Sequence, residues 1–264
     1  MGARLPVFPL ETVLFPGLVL PLHIFEPRYL ALIRHLTDLP EGTPREFGVV
    51  AIRGGGPAPV AGGPGPGTVG LGGVGPGGAV APGFGGGTPA DRAAAEPGGR
   101  TSLVTLHDIG CTAELRQVTE LPDGRLDVVT VGRRRFRIND VTQGETPYLT
   151  AEVDWLPEPT GQEQAADQLA PRVLAVFRQY LALVRDDPEE IAEQLPDDPT
   201  VLSHLVAATA ALTLGDRQRL LATPDTAGRL RAELRLLNRE AALLRQVRAV
   251  PVPLAELAVP LSPN

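Results

Sequence analysis

Residues that could act as nucleophiles or bases are few and widely separated in this chain. Its serines are Ser102, Ser203 and Ser262, and none of them lies in a G-x-S-x-G sequence. Ser203 is followed directly by His204, but neighbouring residues on a helix point in different directions and do not pair as nucleophile and base. These spacings predict no serine hydrolase site.

Lysine does not occur in the chain, and every basic side chain other than histidine is therefore an arginine. A Walker A motif requires a lysine that reaches the β- and γ-phosphates of a nucleotide. A Ser–Lys peptidase dyad requires a lysine amine as its base. The sequence excludes both kinds of site in this chain.

Metal and redox chemistry have equally little support. The four histidines, His23, His35, His107 and His204, are not at metal-ligand spacing, and Cys111 is the only cysteine. We expect Cys111 to be a small buried residue of a strand. We expect no catalytic residue, no metal ligand and no cofactor.

Two further patterns could bind a charged partner. Gly65, Gly67 and Gly70 have the G-x-G-x-x-G spacing of a dinucleotide-binding turn, but they lie in a glycine tract without a preceding strand or a following helix. The acidic stretch 186–198 could attract a cation or a basic protein, yet it also suits the N-terminal turns of solvated helices. We favour a chance spacing within the glycine tract for the first pattern, and helix N-terminal charges on a solvated face for the second.

A run of four arginines, Arg133, Arg134, Arg135 and Arg137, is the strongest indication of nucleic-acid binding. Alternation along a strand would place Arg133, Arg135 and Arg137 on one face and Arg134 with Phe136 on the other. We favour an exposed strand in which Phe136 and Ile138 pack inward.

The composition is that of a globular protein, with 264 residues, 43% hydrophobic and 21% charged. The net charge of -7 argues against nucleic acid as the main partner. A single cysteine fits a reducing compartment. The proline-interrupted N-terminus, which contains Glu11, suits neither a signal peptide nor a membrane span. We expect a cytoplasmic protein without membrane contact.

The first part of the chain is predicted to be rich in strands. Strands are expected over 47–52, 108–118, 126–138 and 148–156, because short apolar runs alternate there with Gly and Pro turns, as is typical of a barrel-like sheet. A short helix is expected over 27–36, since proline suits a first helical position. Residues 54–99 consist largely of Gly and Pro and are predicted to be a disordered insertion.

Residues 160–248 have helical periodicity. Apolar residues recur at i, i+3 and i+4 over 162–184. Asp187-Pro188 and Asp198-Pro199 each join an N-cap residue to a proline at the first helical position. The last helix, over 225–248, carries a heptad-like leucine stripe that we expect to pack on helices of the same chain. Residues 251–264 are predicted to be a flexible tail.

Two blocks near the N-terminus have long and specific sequences. LPVFPL at 5–10 leads to Phe15-Pro16-Gly17, and LVLPLHIFEPR at 18–28 is followed by Tyr29. These blocks resemble the N-terminal, substrate-binding domain of the Lon protease family. The resemblance extends to residues 47–52, 108–118, 131–132, 135–138, 204–214, 219–221 and 229–244. It covers nearly the whole chain apart from the glycine-rich insertion and the tail.

The resemblance implies an α+β fold, with a PUA-like antiparallel β-barrel over residues 1–157 and a helical bundle over 158–250. It also implies a stand-alone, non-catalytic member of the family, because the chain ends where the ATPase and peptidase modules would begin. We therefore expect it to bind unfolded or tagged polypeptides in protein quality control, with a protease or chaperone as a further partner. The sequence does not predict the oligomeric state.

Phe15, Leu18, Leu20 and Phe25 are the candidate peptide-binding residues, because apolar side chains near proline turns can line a groove for an extended peptide. A place in the core is the alternative for each of them. An RNA-binding protein is the alternative function, since PUA-like barrels elsewhere bind RNA and the arginine run could contact phosphate. The net charge opposes this second function.

Overall fold

A computed structural model of the chain describes residues 2–53, 105–184 and 195–248. Six strands and five helices lie in this part of the chain. They are β1 (Ala3–Leu10), β2 (Val19–Ile24), α1 (Pro27–Thr37), β3 (Glu46–Ala51), β4 (Ile109–Glu120), β5 (Leu126–Thr142), β6 (Leu149–Trp155), α2 (Glu163–Val184), α3 (Pro199–Thr209), α4 (Leu214–Ala222) and α5 (Thr226–Arg248). The predicted insertion 54–99, the Asp187-Pro188 cap and the tail 251–264 lie outside the described residues.

The six strands form one sheet in the order β2-β5-β4-β3-β1-β6, with a further pairing of β5 and β6. The long strand β5 has β4 along one edge, and along the other edge it has β2 and then β6. The expectation of a purely antiparallel sheet is wrong, because β1 and β3 pair in parallel. The chain between them passes through β2 and α1, and such a crossover returns the next strand in the same direction. The PUA-like barrel geometry stays a prediction.

Both faces of most of the sheet are covered. One hydrophobic cluster joins strand residues such as Phe8, Phe47 and Val128 to helix residues such as Phe177 and Leu230. A second, smaller cluster packs on the other face and contains Leu5, Val7, Val50, Phe136, Ala151 and Val153. Strand and helix residues thus share the larger cluster. The predicted division of the chain into two domains at residue 157 stays a prediction.

Helix starts follow the local sequence. Helix α1 begins at Pro27, as predicted. Helix α3 begins at Pro199, where Asp198 accepts hydrogen bonds from the backbone N–H of Thr200 and Val201 at 2.8 and 2.9 Å. Such a cap satisfies two N–H groups that the helix itself cannot pair. None of the helices in the described residues is long and apolar enough to cross a membrane.

The leucine stripe of the last helix packs inside the chain. In helix α5, Leu230, Leu237 and Ala241 are buried, and Leu234 and Leu244 are half-buried against the larger cluster. Helix α5 lies along helix α2, which it contacts more than any other helix. The predicted packing against helices of the same chain is confirmed.

Strand β5 passes very close to the loop before β2 at Gly132. A Cβ added to Gly132 would lie 2.1 Å from the backbone oxygen of Phe15, which is too near for any side chain. The two backbones are also hydrogen bonded there, from Gly17 N–H to Gly132 C=O at 2.8 Å. We predict that Gly132→Ala lowers the free energy of unfolding by about 1–3 kcal/mol, as overpacking does.

Chemical denaturation measures this change, and Gly215→Ala in α4 is the matched control. A Cβ at Gly215 has nothing nearer than the Thr213 hydroxyl oxygen at 4.0 Å, and alanine favours a helix over glycine. The control is expected to be neutral or slightly stabilising. An equal loss of stability in both variants would contradict the close approach at Gly132.

Asp216 connects α4 to α5 and gives the protein a dependence on pH. Its buried carboxylate accepts hydrogen bonds from Arg239 at 2.8 Å, from Thr213 at 2.9 Å and from Arg219. The bond from Arg239 is the largest cause that lowers the pKa of Asp216, to about 2, and burial opposes it. The folded state therefore holds the ionised carboxylate more strongly than the unfolded chain, whose pKa is near the ordinary 3.8.

This stabilisation is present above about pH 4 and is lost as the pH falls through the interval from about 4 to about 2. We predict that the free energy of unfolding falls less steeply in that interval for Asp216→Asn than for the wild type. Denaturant unfolding at a series of pH values measures both slopes. Parallel slopes would show that Asp216 does not contribute.

Candidate functional site

The N-terminal apolar segment forms β2, the one strand that lies at a free edge of the sheet in the described residues. Strand β2 pairs with β5 from Val19–Val131 to Ile24–Leu126, and no described strand lies on its other side. Leu20, Leu22 and Ile24 point towards the larger hydrophobic cluster. The alternate residues of β2 therefore point to solvent.

These alternate residues form an exposed apolar surface. Val19 is 58% exposed, Phe25 just beyond the strand is 40% exposed, and Pro21 is exposed between them. Across the ladder, Val131 pairs with Val19 and Val129 with Pro21, and both are half-buried on the same face. We call Val19, Pro21, Phe25, Val129 and Val131 the β2 patch. A contiguous apolar patch of this kind on a sheet face marks an interaction site more often than isolated apolar residues do.

The four predicted peptide-binding residues separate into three groups. Phe15 is fully buried in the larger cluster, and its side chain does not reach the surface. Leu18 and Leu20 are half-buried and pack against the same cluster. Phe25 is exposed in the β2 patch. Their role in peptide binding stays a prediction, and Phe25 is the one of the four that is exposed.

Sequence reasoning missed Val19 and Pro21, although a signal for them exists. In a half-buried strand, residues two apart share a face. The buried side of β2 carries the larger residues Leu20, Leu22 and Ile24, and the exposed side carries the intervening ones. Val129 and Val131 could not be found in this way, because their exposure depends on the pairing of β5 with β2.

A polar network adjoins the β2 patch at His23. Its Nδ1 lies 2.7 Å from an oxygen of Asp127, and Arg125 Nη1 lies 3.1 Å from its Nε2. Because an arginine can only donate, Nε2 accepts, and Nδ1 carries the hydrogen that is donated to Asp127. The network holds the ring of His23 against strand β5, next to Phe25, whose ring centroid is 6.3 Å away.

The arginine run does not alternate as predicted. Thr112 of β4 lies opposite both Arg133 and Arg134 of β5, because the register shifts between the Cys111–Arg135 and Ala113–Gly132 pairs. The Arg134 N–H donates to the Thr112 hydroxyl oxygen at 3.1 Å within this bulge. The extra residue of the bulge reverses the face of the sheet to which each following side chain of β5 points. The placement of Arg135 on an exposed face with Arg133 is therefore wrong.

The two arginines of the bulge are exposed but paired. Arg133 forms an ion pair with Glu114 at 3.0 Å, and Arg134 forms one with Glu46 at 3.3 Å. The Arg134 guanidinium also lies over the ring of Trp155, at 4.0 Å from its centroid. Phe136 is buried and Ile138 packs against the smaller cluster, as predicted.

Arg135 is buried where the sheet meets the helices, and only 1% of its side chain is exposed. Its guanidinium donates to the carbonyl oxygens of Leu221, Thr223, Pro157 and Pro224, at 2.8, 2.7, 3.0 and 3.2 Å. Its Nε donates to the Glu158 carboxylate. The other oxygen of Glu158 accepts from Arg229 of α5 at 3.1 Å.

The same network contains the residues of α3 that resembled a nucleophile and a base. Ser203 Oγ donates to the Thr200 carbonyl at 2.9 Å and accepts from Arg229 Nε at 3.0 Å. His204 Nε2 lies 3.5 Å from Glu158. The two side chains thus have different partners, as predicted for neighbouring helical residues.

Burial and ion pairing shift the pKa values of the acidic and histidine side chains in this network. Burial raises the pKa of Glu158, but His204, Arg135 and Arg229 outweigh it and hold that pKa below its ordinary value. Burial lowers the pKa of His204 despite the neighbouring Glu158. Burial raises the pKa of Glu233, close to Arg229, well above its ordinary value. Burial therefore favours the neutral form of His204, and the two arginines favour the ionised form of Glu158.

Metal-binding side chains are not clustered in the part of the chain that the structure describes. No group of three His, Cys, Asp or Glu side chains there could hold a metal ion. Cys111 is fully buried in β4, as predicted, and burial raises the pKa of its thiol far above the ordinary value. Such a thiol is a poor nucleophile.

Comparison with known proteins points to one family. The family model of the ATP-dependent protease La (LON) substrate-binding domain matches residues 4–239. Lon protease 1 of Thermus thermophilus is 34% identical over 140 residues, which are 51% of this chain and 17% of that protein. Lon protease 2 of Myxococcus xanthus is 26% identical over 245 residues, which are 91% of this chain and 24% of that protein. The chain thus spans less than a quarter of either relative.

A solved structure has the same fold. The N-terminal domain of Lon protease from the Mycobacterium avium complex superposes with a TM-score of 0.57 at 18% identity, covering 91% of this chain and 98% of that one. At this identity the likeness establishes the fold alone.

We predict that Arg135→Met lowers the free energy of unfolding by about 3–5 kcal/mol, since it leaves four carbonyls and one oxygen of Glu158 without their donor. Arg135→Lys keeps the charge but not the planar fork, and an intermediate loss is expected. Chemical denaturation measures both. The matched control is Arg133→Met, in the same strand, where an exposed ion pair contributes about 0–1 kcal/mol. Similar losses at residues 133 and 135 would refute the special role of the buried arginine.

Proposed function

The chain belongs to the family of Lon substrate-binding domains, and from that premise we propose that it binds unfolded polypeptide segments at the β2 patch. The single observation that carries the proposal is the exposure of Val19, Pro21 and Phe25 beside the free edge of the sheet. Exposed apolar side chains are the groups that an unfolded chain, which itself exposes apolar residues, can bury on contact.

The family membership and the patch support each other. The matched family is described by its binding of substrates for an ATP-dependent protease. Three residues of the β2 patch, Val19, Pro21 and Phe25, lie within the N-terminal block that carried the resemblance, at residues 18–28. We infer that the protein holds unfolded or tagged polypeptides for proteolysis, in the cytoplasm and without catalysis of its own, with a protease or chaperone receiving them.

RNA binding has no comparable support. Of the arginine run, Arg135 is buried, Arg133 and Arg134 are paired with carboxylates, and only the exposed Arg137 remains for a phosphate. Phosphate binding needs basic groups that are free to replace counterions. The net charge of -7 adds a long-range repulsion for any nucleic acid.

We predict that Val19→Asp combined with Phe25→Ser weakens binding of an unfolded protein by about tenfold or more, because both changes remove apolar area that binding would bury. The probe is fluorescently labelled α-lactalbumin, reduced and carboxymethylated to keep it unfolded, and anisotropy measures its dissociation constant. Folded, calcium-loaded α-lactalbumin should not bind.

The matched control is Val201→Asp in α3, a valine with 51% exposure that lies outside the patch and receives the same charge. It is expected to leave the dissociation constant within about twofold of the wild type. If the wild type does not bind the unfolded probe, or if both variants weaken binding equally, the β2 patch is not the binding site.

A further inference from the structure

We propose that the free edge of β2 binds an extended polypeptide as an added strand, so that backbone hydrogen bonds, and not only the apolar patch, hold the bound segment. This inference rests on the proposed function and specifies how the site recognises its substrate. Strand addition to an exposed sheet edge is an established mode of peptide recognition in other folds.

The direction of the β2 backbone groups follows from two hydrogen bonds. The Leu18 carbonyl accepts from Gly132 N–H at 2.8 Å, and the Leu20 carbonyl accepts from the Thr130 hydroxyl at 2.9 Å. Both carbonyls therefore point towards β5. In an antiparallel ladder, alternate residues face the partner strand and the intervening ones face away. The β2–β5 register continues without a shift to Ile24.

The outward-facing residues of β2 are Val19, Pro21 and His23. Their carbonyl groups point away from β5, as do the N–H groups of Val19 and His23, whereas Pro21 has no N–H. Five backbone groups are thus directed at the open side, where no described strand lies. An added strand would pair with these groups and extend the sheet beyond β2.

The same geometry brings side chains of the added strand onto the β2 patch. Residues directly opposite each other in neighbouring strands share a face. The side chains of the added strand that lie beside Val19 and Pro21 would therefore be on the same face of the sheet as the β2 patch, and they would cover it. Backbone pairing is independent of sequence, and the patch adds a preference for apolar residues at alternate positions. This combination suits a protein that binds many unfolded chains.

The occupant is a polypeptide other than a second copy of this chain. Two β2 edges paired about Pro21 would place two prolines at the centre, and neither could donate a hydrogen bond. Each copy also carries a charge of -7, which opposes self-association. The same net charge favours a segment that carries basic residues.

N-methylated peptides test this inference with the full-length protein. The probe is a fluorescent peptide of alternating valine and threonine with a lysine at each end, and two isomers of it carry N-methyl groups on either the valines or the threonines. In a strand, alternate N–H groups face opposite edges. One isomer should therefore bind at least about tenfold more weakly than the unmodified peptide, and the other should keep most of the affinity.

Methylated valines should give the weaker isomer if the peptide adds antiparallel with its valines over the patch, and methylated threonines if it adds in parallel. Equal affinities of the two isomers would overturn strand addition while leaving the proposed function intact. A complete lack of binding by the unmodified peptide, together with a lack of binding by unfolded α-lactalbumin, would instead refute the proposed function.

A variant of the protein gives a second readout. Pro21→Val restores an N–H on the open side of β2 and keeps an apolar side chain in the patch. Strand addition predicts a severalfold tighter complex with the unmodified peptide, through one added hydrogen bond. Unchanged or weaker binding counts against it. Sedimentation of the protein with and without the peptide completes the test. A dimer that dissociates when the peptide is added would show that the edge binds a second copy of the chain, and it would overturn the proposal.

Discussion

The buried guanidinium of Arg135 is the group on which the arrangement of strands and helices depends. A charge removed from water is tolerated only where partners replace its hydration, and Arg135 has five of them. Four are carbonyl oxygens at the end of β6 and at the connection between α4 and α5, and the fifth is Glu158. A displacement of the helices from the sheet would separate Arg135 from several of these groups and leave the cation buried with too few partners. The sheet and the helices are therefore held in one relative position.

Glu158 extends this constraint from β5 to the helices. One of its oxygens faces Arg135 and the other faces Arg229 of α5, while His204 of α3 lies beside it. Arg229 in turn donates to Ser203. The polar network thus crosses the boundary that composition suggested between a strand-rich and a helix-rich part, and the larger hydrophobic cluster surrounds it. Residues that looked like a nucleophile and a base are structural members of this network.

Hydrophobic clusters pack on both faces of the sheet, whereas β2 has one face in solvent. Strand β2 buries Leu22 and Ile24 against the cluster and leaves Val19 and Pro21 in solvent. Its backbone is paired on one side only. An edge strand with an exposed apolar face is a liability for a protein that has no use for it, because it invites uncontrolled pairing. Pro21 limits that pairing by removing one donor, and a net charge of -7 keeps copies apart.

The sequence by itself determined the local elements and the chemistry that is missing. Apolar periodicity, together with prolines at first helical positions and a capping residue before Pro199, located α1, α2, α3 and α5. These signals act within one or two turns of a helix. The lack of lysine excluded Walker A and Ser–Lys sites without any structure. Only the tertiary structure decided which strand has a free edge and that β1 pairs with β3 in parallel. It also decided which arginine is buried: a one-residue bulge opposite Thr112 reverses the alternation of β5, and such a shift is a property of the pairing between β4 and β5 that the alternation along β5 alone does not reveal. Solvent exposure at Val129 and Val131 has the same origin, since it depends on pairing between residues more than a hundred positions apart.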